Sequence, residues 1–194
     1  MKDFQAYLLA AGRGERSQGP KAWRVYEGKP LLEKQVEFLL GRFEPERIAV
    51  TIQADWFDRC RGLNADIRWM PVDAEDSPMG ALLKLMKASP IENWAFMHHV
   101  DMPVWEPGLF DALATAVVQA EEKQVEAIQP RYEWRCGHPV LLSGKLRAAI
   151  EASDPVKDRL DRWLHGRKTH PVEVPYPCIL QNWNRLSDYP ASKE

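Results

Sequence analysis

Two short stretches carry residue types suited to phosphate chemistry. Leu8 to Lys21 reads LLAAGRGERSQGPK: an apolar strand runs directly into Gly12 and Gly14, and Arg16 and Lys21 put two positive charges on the same loop. Glycine permits positive φ and close backbone approach to a ligand. Successive backbone N–H groups in such a turn form an anion-binding concavity, and the two cations suit a triphosphate or a pyrophosphate leaving group. By this chemistry alone, a glycine turn with solvated charges fits as well. The stretch is not a P-loop, because Pro20 intervenes before Lys21 and no Ser or Thr follows it. It also lacks the third glycine of the dinucleotide fingerprint. The second stretch, His98-His99-Val100-Asp101-Met102-Pro103, lies where an apolar strand gives out. A carboxylate there can reach a Mg²⁺ held by a triphosphate, or it can cap the helix that follows. Pro103 stops the strand and fixes where Asp101 points. Adjacent histidines on a strand face opposite sides, which argues against one metal held by both His98 and His99.

Short β-like runs alternate with helix-like segments around these stretches, the pattern of a layered α/β sheet. Strands are expected at Phe4–Leu9, Arg47–Ile52, Ile67–Met70, Trp94–Met97, Glu126–Gln129 and Val140–Leu142. Helices are expected at Leu31–Leu40, Trp56–Arg61, Pro78–Lys87, Pro107–Gln119, Lys145–Ala152 and Pro155–His165. Pro78 falls in the first turn of its helix, a favoured place for proline. Val172–Val174 and Cys178–Leu180 read as short extended pieces. The order implies a mainly parallel sheet with its crevice at the C-terminal strand ends. One domain over residues 1–190 is expected, with 191–194 a frayed tail.

The 194 residues are enough for one α/β domain with a sizeable core. A net charge of −2 gives no electrostatic footprint for nucleic acid or an anionic membrane. No apolar run reaches spanning length, and the N-terminus does not read as a signal peptide. Cys60, Cys136 and Cys178 show neither metal-ligand spacing nor an even count, so they read as free thiols in a reducing cytoplasm. Eight tryptophans are many for this length, and both core and flat-ligand roles are open to them.

The chain resembles the MobA-like nucleotidyltransferases. Leu9, Ala10, Ala11, Gly12, Gly14, Arg16 and Lys21 match that family's opening motif in register. Ser17 stands where the motif has methionine, and Gln18-Gly19 displaces the next glycine by one. Gly28-Lys29-Pro30-Leu31-Leu32 matches the G-x-P-L-L that follows, and Asp101-Met102-Pro103 matches the D-M-P whose Asp binds the catalytic Mg²⁺. Ser77 to Leu83 resembles the nucleotide-side loop, which brings Gly80 and Asp73 or Asp76 toward ribose or base; helix capping is the other role open to Asp76 and Ser77. Arg135 to Leu142 resembles the R-x-G-H-P-V-L segment of the cytidylyl branch, where Arg135 or His138 would meet an acceptor phosphate. Asn182-Trp183-Asn184 resembles the N-x-N of the guanylyl branch, without the T-P-E after it, and makes Asn184 a second, uncharged Mg²⁺ ligand. Trp183 would stack on a flat acceptor or lie in the core.

The resemblance implies a Rossmann-like three-layer α/β/α fold with a mainly parallel mixed sheet, of the nucleotide-diphospho-sugar transferase kind. It implies a Mg²⁺-dependent transfer of NMP from CTP or GTP to a phosphorylated acceptor such as molybdopterin. Lys21, Arg16 and Asp101 would be the catalytic residues. Two alternatives remain: a nucleotidyltransferase for a sugar phosphate or another small phosphorylated acceptor, and a non-catalytic nucleotide-binding relative. Monomer and homodimer are both compatible with the sequence.

Overall fold

The computed structural model describes residues 1–14 and 19–189 of the chain, so Arg16, Ser17, Gln18 and the 191–194 tail lie outside the described residues. The chain opens with β1 (Phe4–Leu9), a short hairpin of β2 (Val25–Tyr26) and β3 (Lys29–Pro30), and helix α1 (Leu31–Leu40). There follow β4 (Ile48–Gln53), α2 (Phe57–Leu63), β5 (Arg68–Val72), α3 (Pro78–Ala88) and β6 (Trp94–His99). The second half contains α4 (Pro107–Thr115), α5 (Val117–Glu122), β7 (Ala127–Tyr132), β8 (Arg135–Cys136), β9 (Val140–Ser143), α6 (Arg147–Glu151), α7 (Leu160–His165) and β10 (Thr169–Glu173).

The main sheet runs β10-β7-β9-β6-β1-β4-β5, with β8 paired onto β7. β1 is parallel to both β4 and β6, and β4 is parallel to β5, whereas β9 is antiparallel to β6 and β7. β1 is buried on both faces, which explains its nearly unbroken apolar sequence. Ala6 and Leu8 pack into one core with α1 and α4, while Tyr7 and Leu9 pack into the other with α3, α6 and α7. That is a three-layer α/β/α arrangement. The chain builds outward from β1 through β4 and β5, then crosses back to place β6 on β1's other side. This reversal is a topological switch point, and a crevice opens there beyond the strand ends.

Local chemistry explains the elements nearest that crevice. α1 buries Leu31, Leu32, Gln35, Val36 and Leu39, a helical stripe that includes one polar residue. α3 starts at Pro78 behind Ser77, whose Oγ accepts a hydrogen bond from Gly80 N at 3.1 Å.

Three expectations change in the second half. Pro107–Gln119 is two helices, broken at Ala116. Pro155–His165 is helical only from Leu160: Asp154 Oδ1 accepts from Val156 N at 2.9 Å, and Asp158 Oδ2 accepts from Asp154 N at 2.8 Å. Side chains thus capture the backbone donors that a helix would need free of such turns. Cys178–Leu180 belongs to a 3₁₀ turn rather than a strand.

Gly137 is the tightest backbone approach beside the crevice. Its N–H donates to Pro130 O at 2.9 Å, and a Cβ there would lie 2.7 Å from Ile179 C and closer still to its oxygen. Gly137→Ala is therefore expected to cost about 2–3 kcal/mol by forced backbone movement, lowering Tm by several degrees for a chain of this size. Gly62→Ala, which meets nothing within 4 Å, is the control. Calorimetry showing equal Tm for the two variants would rule out the close packing of Gly137 on Ile179.

Candidate functional site

The C-terminal ends of β1 and β6 lie level, with Leu9 paired to His99, so the loops that follow leave the sheet side by side. The first loop is anchored to β4. Ala10 N donates to Thr51 O at 3.1 Å and to Thr51 Oγ1 at 3.2 Å, and Gln53 Nε2 donates to Ala11 O at 3.0 Å. The loop then turns through Gly14 at φ 65°, a conformation glycine adopts without the Cβ penalty. Farther along the chain, Lys21 opens a 3₁₀ turn.

The second loop is held from two sides. Gln35, fully buried on α1, donates to Met102 O at 2.8 Å and Val100 O at 3.3 Å and accepts from Trp105 Nε1 at 3.1 Å. Trp183 N donates to Asp101 O at 2.8 Å. The indole of Trp183 is buried against Tyr26, Trp105 and Tyr189. It is a core anchor that fixes its neighbours Asn182 and Asn184, and it is not open for stacking on an acceptor.

Three distant segments converge at the crevice floor. Lys21 Nζ donates to Asp101 Oδ2, and to Asn184 Oδ1 at 2.7 Å. Lys21 and Asp101 side chains are 17% and 12% exposed, so this is a largely desolvated ion pair. Two cavities meet over it. A cleft of about 500 Å³ is lined by Leu9, Ala11, Gly12, Arg13, Gly14, Lys21, Thr51, Asp76 and Ala81. A larger cavity of about 1000 Å³ is lined by Met97, Gln129, Trp134, Gly137, His138, Val156, Arg159, Thr169 and Asn182. His99, Asp101, Asn184 and Pro78 line both.

Among the sequence-expected residues, Leu9, Ala11, Gly12, Gly14, Lys21, Asp101 and Asn184 come together at the cleft, and His138 lines the larger cavity. Others stand elsewhere. Ala10 is buried, with its N–H already bonded to β4. Gly80 is buried against Ser77 and Pro155. Asp73 is exposed and closes its own turn, accepting from Glu75 N at 2.9 Å, while the nearby Asp76 lines the cleft. Arg135 is exposed on β8 and lines neither cavity.

Residues that sequence reasoning missed are Arg13, ion-paired with Glu75 at the cleft wall, Thr51, and the pair Trp134 and Val156. Arg13 was legible as a third cation of the glycine loop. Thr51 gave no signal apart from being a polar residue in an apolar strand.

His98, His99 and His138 sit close together, with the rings of His99 and His138 edge-on at 5.3 Å. Burial pushes His98 down to about 4, with His99 acting in the same direction. Burial also lowers His99, against the pull of Asp101, and lowers His138 well below the ordinary value. The three imidazoles are therefore neutral at ordinary pH, and among the described residues Lys21 is the cation paired with Asp101.

A mainly parallel sheet with its switch point between a glycine-bearing loop and a buried carboxylate is an open α/β fold whose crevice lies at the C-terminal strand ends. The chain belongs to the MobA-like NTP transferase domain family, which its residues 6–172 match. No curated protein matches it in sequence. It is similar to the crystal structure of Rv0371c from Mycobacterium tuberculosis H37Rv: TM-score 0.76, 17% identity, 96% of this chain and 94% of that one. A manganese complex of Rv0371c aligns with TM-score 0.68 and 18% identity over 96% and 95% of the two chains. Molybdopterin-guanine dinucleotide biosynthesis protein A from Archaeoglobus fulgidus aligns with TM-score 0.68 and 14% identity over 97% and 95%. At these identities the structural likeness speaks for the fold. No helix among the described residues is long and apolar enough to cross a membrane.

The buried imidazoles predict a pH dependence of stability. Below an unfolded pKa of 6.5, the unfolded chain takes up protons that native His98 refuses until about pH 4, so stability falls as pH drops through that window. At pH 5, His98 alone accounts for a loss of about 2 kcal/mol relative to pH 7. Urea unfolding at pH 7 and pH 5 is expected to show a smaller decrease for His98→Gln than for the unmodified chain. Parallel decreases would place the acid sensitivity elsewhere.

Proposed function

We propose that the chain transfers the NMP moiety of an NTP, either CTP or GTP, to a phosphate group on a small-molecule acceptor, releasing pyrophosphate. The observation that carries this reading is the shared wall: two cavities meet at Asp101, His99 and Asn184, with Lys21 between the two oxygen donors. The smaller cleft, with its glycine loop, suits the triphosphate, and the larger cavity suits the acceptor. An acceptor oxygen approaching across the wall forms a bond to the α-phosphorus. The bond from that phosphorus to the β-phosphate oxygen then breaks, and its electrons leave with pyrophosphate.

No protein nucleophile is required; positioning and charge neutralisation supply the rate. Backbone N–H groups at Gly12 and Gly14 would cradle the phosphates. Lys21 is placed to exchange a carboxylate partner for a phosphate oxygen, and the family resemblance gives Arg16 a similar part. His138, neutral in its buried site, can donate one hydrogen bond to the acceptor phosphate without adding charge.

The donor set fits a divalent cation such as Mg²⁺. Asp101 Oδ2 and Asn184 Oδ1 already converge on one cationic point, Lys21 Nζ. Among the described residues no cluster of three acidic, histidine or cysteine ligands competes for such an ion. Asp101 and Asn184 would hold it, and two protein oxygens completed by substrate phosphates and water are a usual Mg²⁺ arrangement. When bound, the ion neutralises charge that develops on the transferring phosphates. The manganese complex of Rv0371c supports a divalent metal at this kind of fold. Molybdopterin is the acceptor favoured by the family resemblance and by the name of the Archaeoglobus fulgidus neighbour.

Thermal-shift measurements with each NTP, with and without Mg²⁺, test this reading. One NTP is expected to raise Tm by several degrees only when the metal is present. Asp101→Asn should abolish the metal-dependent part, and Asn184→Ala should weaken metal affinity about tenfold. Pyrophosphate release with a phosphorylated pterin should fall at least about a hundredfold in Asp101→Ala. Full turnover in that variant would overturn the mechanism.

A further inference from the structure

Trp23 lines neither cavity, yet it shares a single 3₁₀ turn with Lys21. Trp23 N donates to Pro20 O and Arg24 N to Lys21 O, both at 3.2 Å, and the middle residue, Ala22, is buried. A 3₁₀ turn has three residues per revolution, so the side chains at 21 and 23 leave it about 120° apart. Whatever fixes the direction of Trp23 therefore fixes the rotation of the turn, and with it the direction of Lys21.

Two residues of the β4–α2 junction hold Trp23. The ring of Trp56 lies 5.3 Å away between centroids, inclined at 56°. The Arg59 guanidinium stands over the indole at 3.8 Å from its centroid, a favourable cation–π distance. Trp23 Nε1 is buried and makes no hydrogen bond, so contacts of the ring seat the indole. The same junction holds the other end of the glycine loop. Thr51 and Gln53, at the end of β4, bind the backbone of Ala10 and Ala11. Both ends of the loop thus rest on one stretch of chain, residues 51–59.

We propose that Trp23 is a positioning residue: seated on Trp56 and Arg59, it sets the direction of Lys21 and holds the ammonium against Asp101 and Asn184. Its consequence for turnover rests on the nucleotidyl-transfer reading above, whereas the placement of Lys21 does not. Misplacing a charged group by an ångström is enough to slow a reaction that depends on positioning.

Acetylation of the full chain by a limiting dose of acetic anhydride, read by peptide mass spectrometry, tests the placement. Lys157, whose side chain is 83% exposed, is the internal standard. Relative to it, Lys21 is expected to react about tenfold faster in Trp23→Ala than in the unmodified chain, and about fivefold faster in Arg59→Met. Trp23→Phe gives up no hydrogen bond and should stay within about twofold. Phe43→Leu, which loosens the packing of Phe43 on Phe96 and Phe110, lowers Tm from another part of the core and should leave the ratio unchanged. In pyrophosphate release with the stabilising NTP, Mg²⁺ and a phosphorylated pterin, kcat of Trp23→Ala should fall about thirtyfold. KM for the NTP should stay within about threefold, since Thr51 and Gln53 still hold the start of the loop. Unchanged Lys21 protection in both Trp23→Ala and Arg59→Met, or an equal gain in Phe43→Leu, overturns the proposal. Should Trp23→Ala fail to fold, Arg59→Met, made at an exposed side chain, decides it. Faster acetylation with full turnover in the same variant would uphold the placement and overturn the part given to Lys21 in the transfer reading.

Discussion

The Lys21 ammonium, held between Asp101 and Asn184, is the contact on which the geometry of the crevice depends. It joins residues 80 and 163 positions apart in the chain. Both charged side chains are largely withdrawn from water, so the attraction between them offsets a desolvation cost rather than adding clear net stability. Such a pair persists only where the surrounding structure holds each member in place. Gln35 fixes the loop that carries Asp101, and the Trp183 backbone and buried indole fix Asn184. On the proposed reading, the pair would concentrate opposite charges at one point where a phosphate and a cation could be exchanged for them.

Sheet topology makes that convergence affordable in chain length. Because β1 is parallel to both of its neighbours, its C-terminal end lies level with the ends of β4 and β6. Polar side chains from β4, Thr51 and Gln53, then satisfy the backbone of the glycine loop from one side, while β6 delivers the carboxylate from the other. The β7–β8 hairpin, the Gly137-His138 turn after it and α7 line the larger cavity and not the cleft. His99, Asp101, Asn184 and Pro78 are the described residues that line both cavities.

Legibility followed the physics of each segment. β1 and α1 were read to their observed ends because the burial pattern and the bracketing proline and glycine agree. The Pro155 helix was misread because a first-turn proline is only a permission. Asp154 and Asp158 offered the backbone nearer acceptors, and the turn won. The strand expected at Glu126–Gln129 stops short of the β7–β8 hairpin for a related reason: Pro130 discourages a strand, and Glu133-Trp134 carries none of the residues that announce a tight turn. Lys21 and Asp101 were legible because each lies in a recognisable motif, Lys21 at the far end of the loop after β1 and Asp101 just past the end of β6. Asp73 was not separable from Asp76 by sequence, since both sit before a capped helix and only tertiary placement turns one toward the cleft.

Asparagine at 184 has an electrostatic consequence that a carboxylate there would not share. Asp101 and Lys21 balance each other, and Asn184 adds an oxygen donor without a second negative charge. A carboxylate in its place would hold a divalent ion more tightly, since hard cations follow ligand charge. It would also leave the floor net negative whenever the ion is absent, repelling an arriving triphosphate at short range in a poorly screened site. With asparagine, the free site is close to neutral, flanked by three uncharged imidazoles. On the proposed reading, cation and nucleotide would favour each other's arrival: one carboxylate would hold the ion only weakly, and the triphosphate would supply the missing charge.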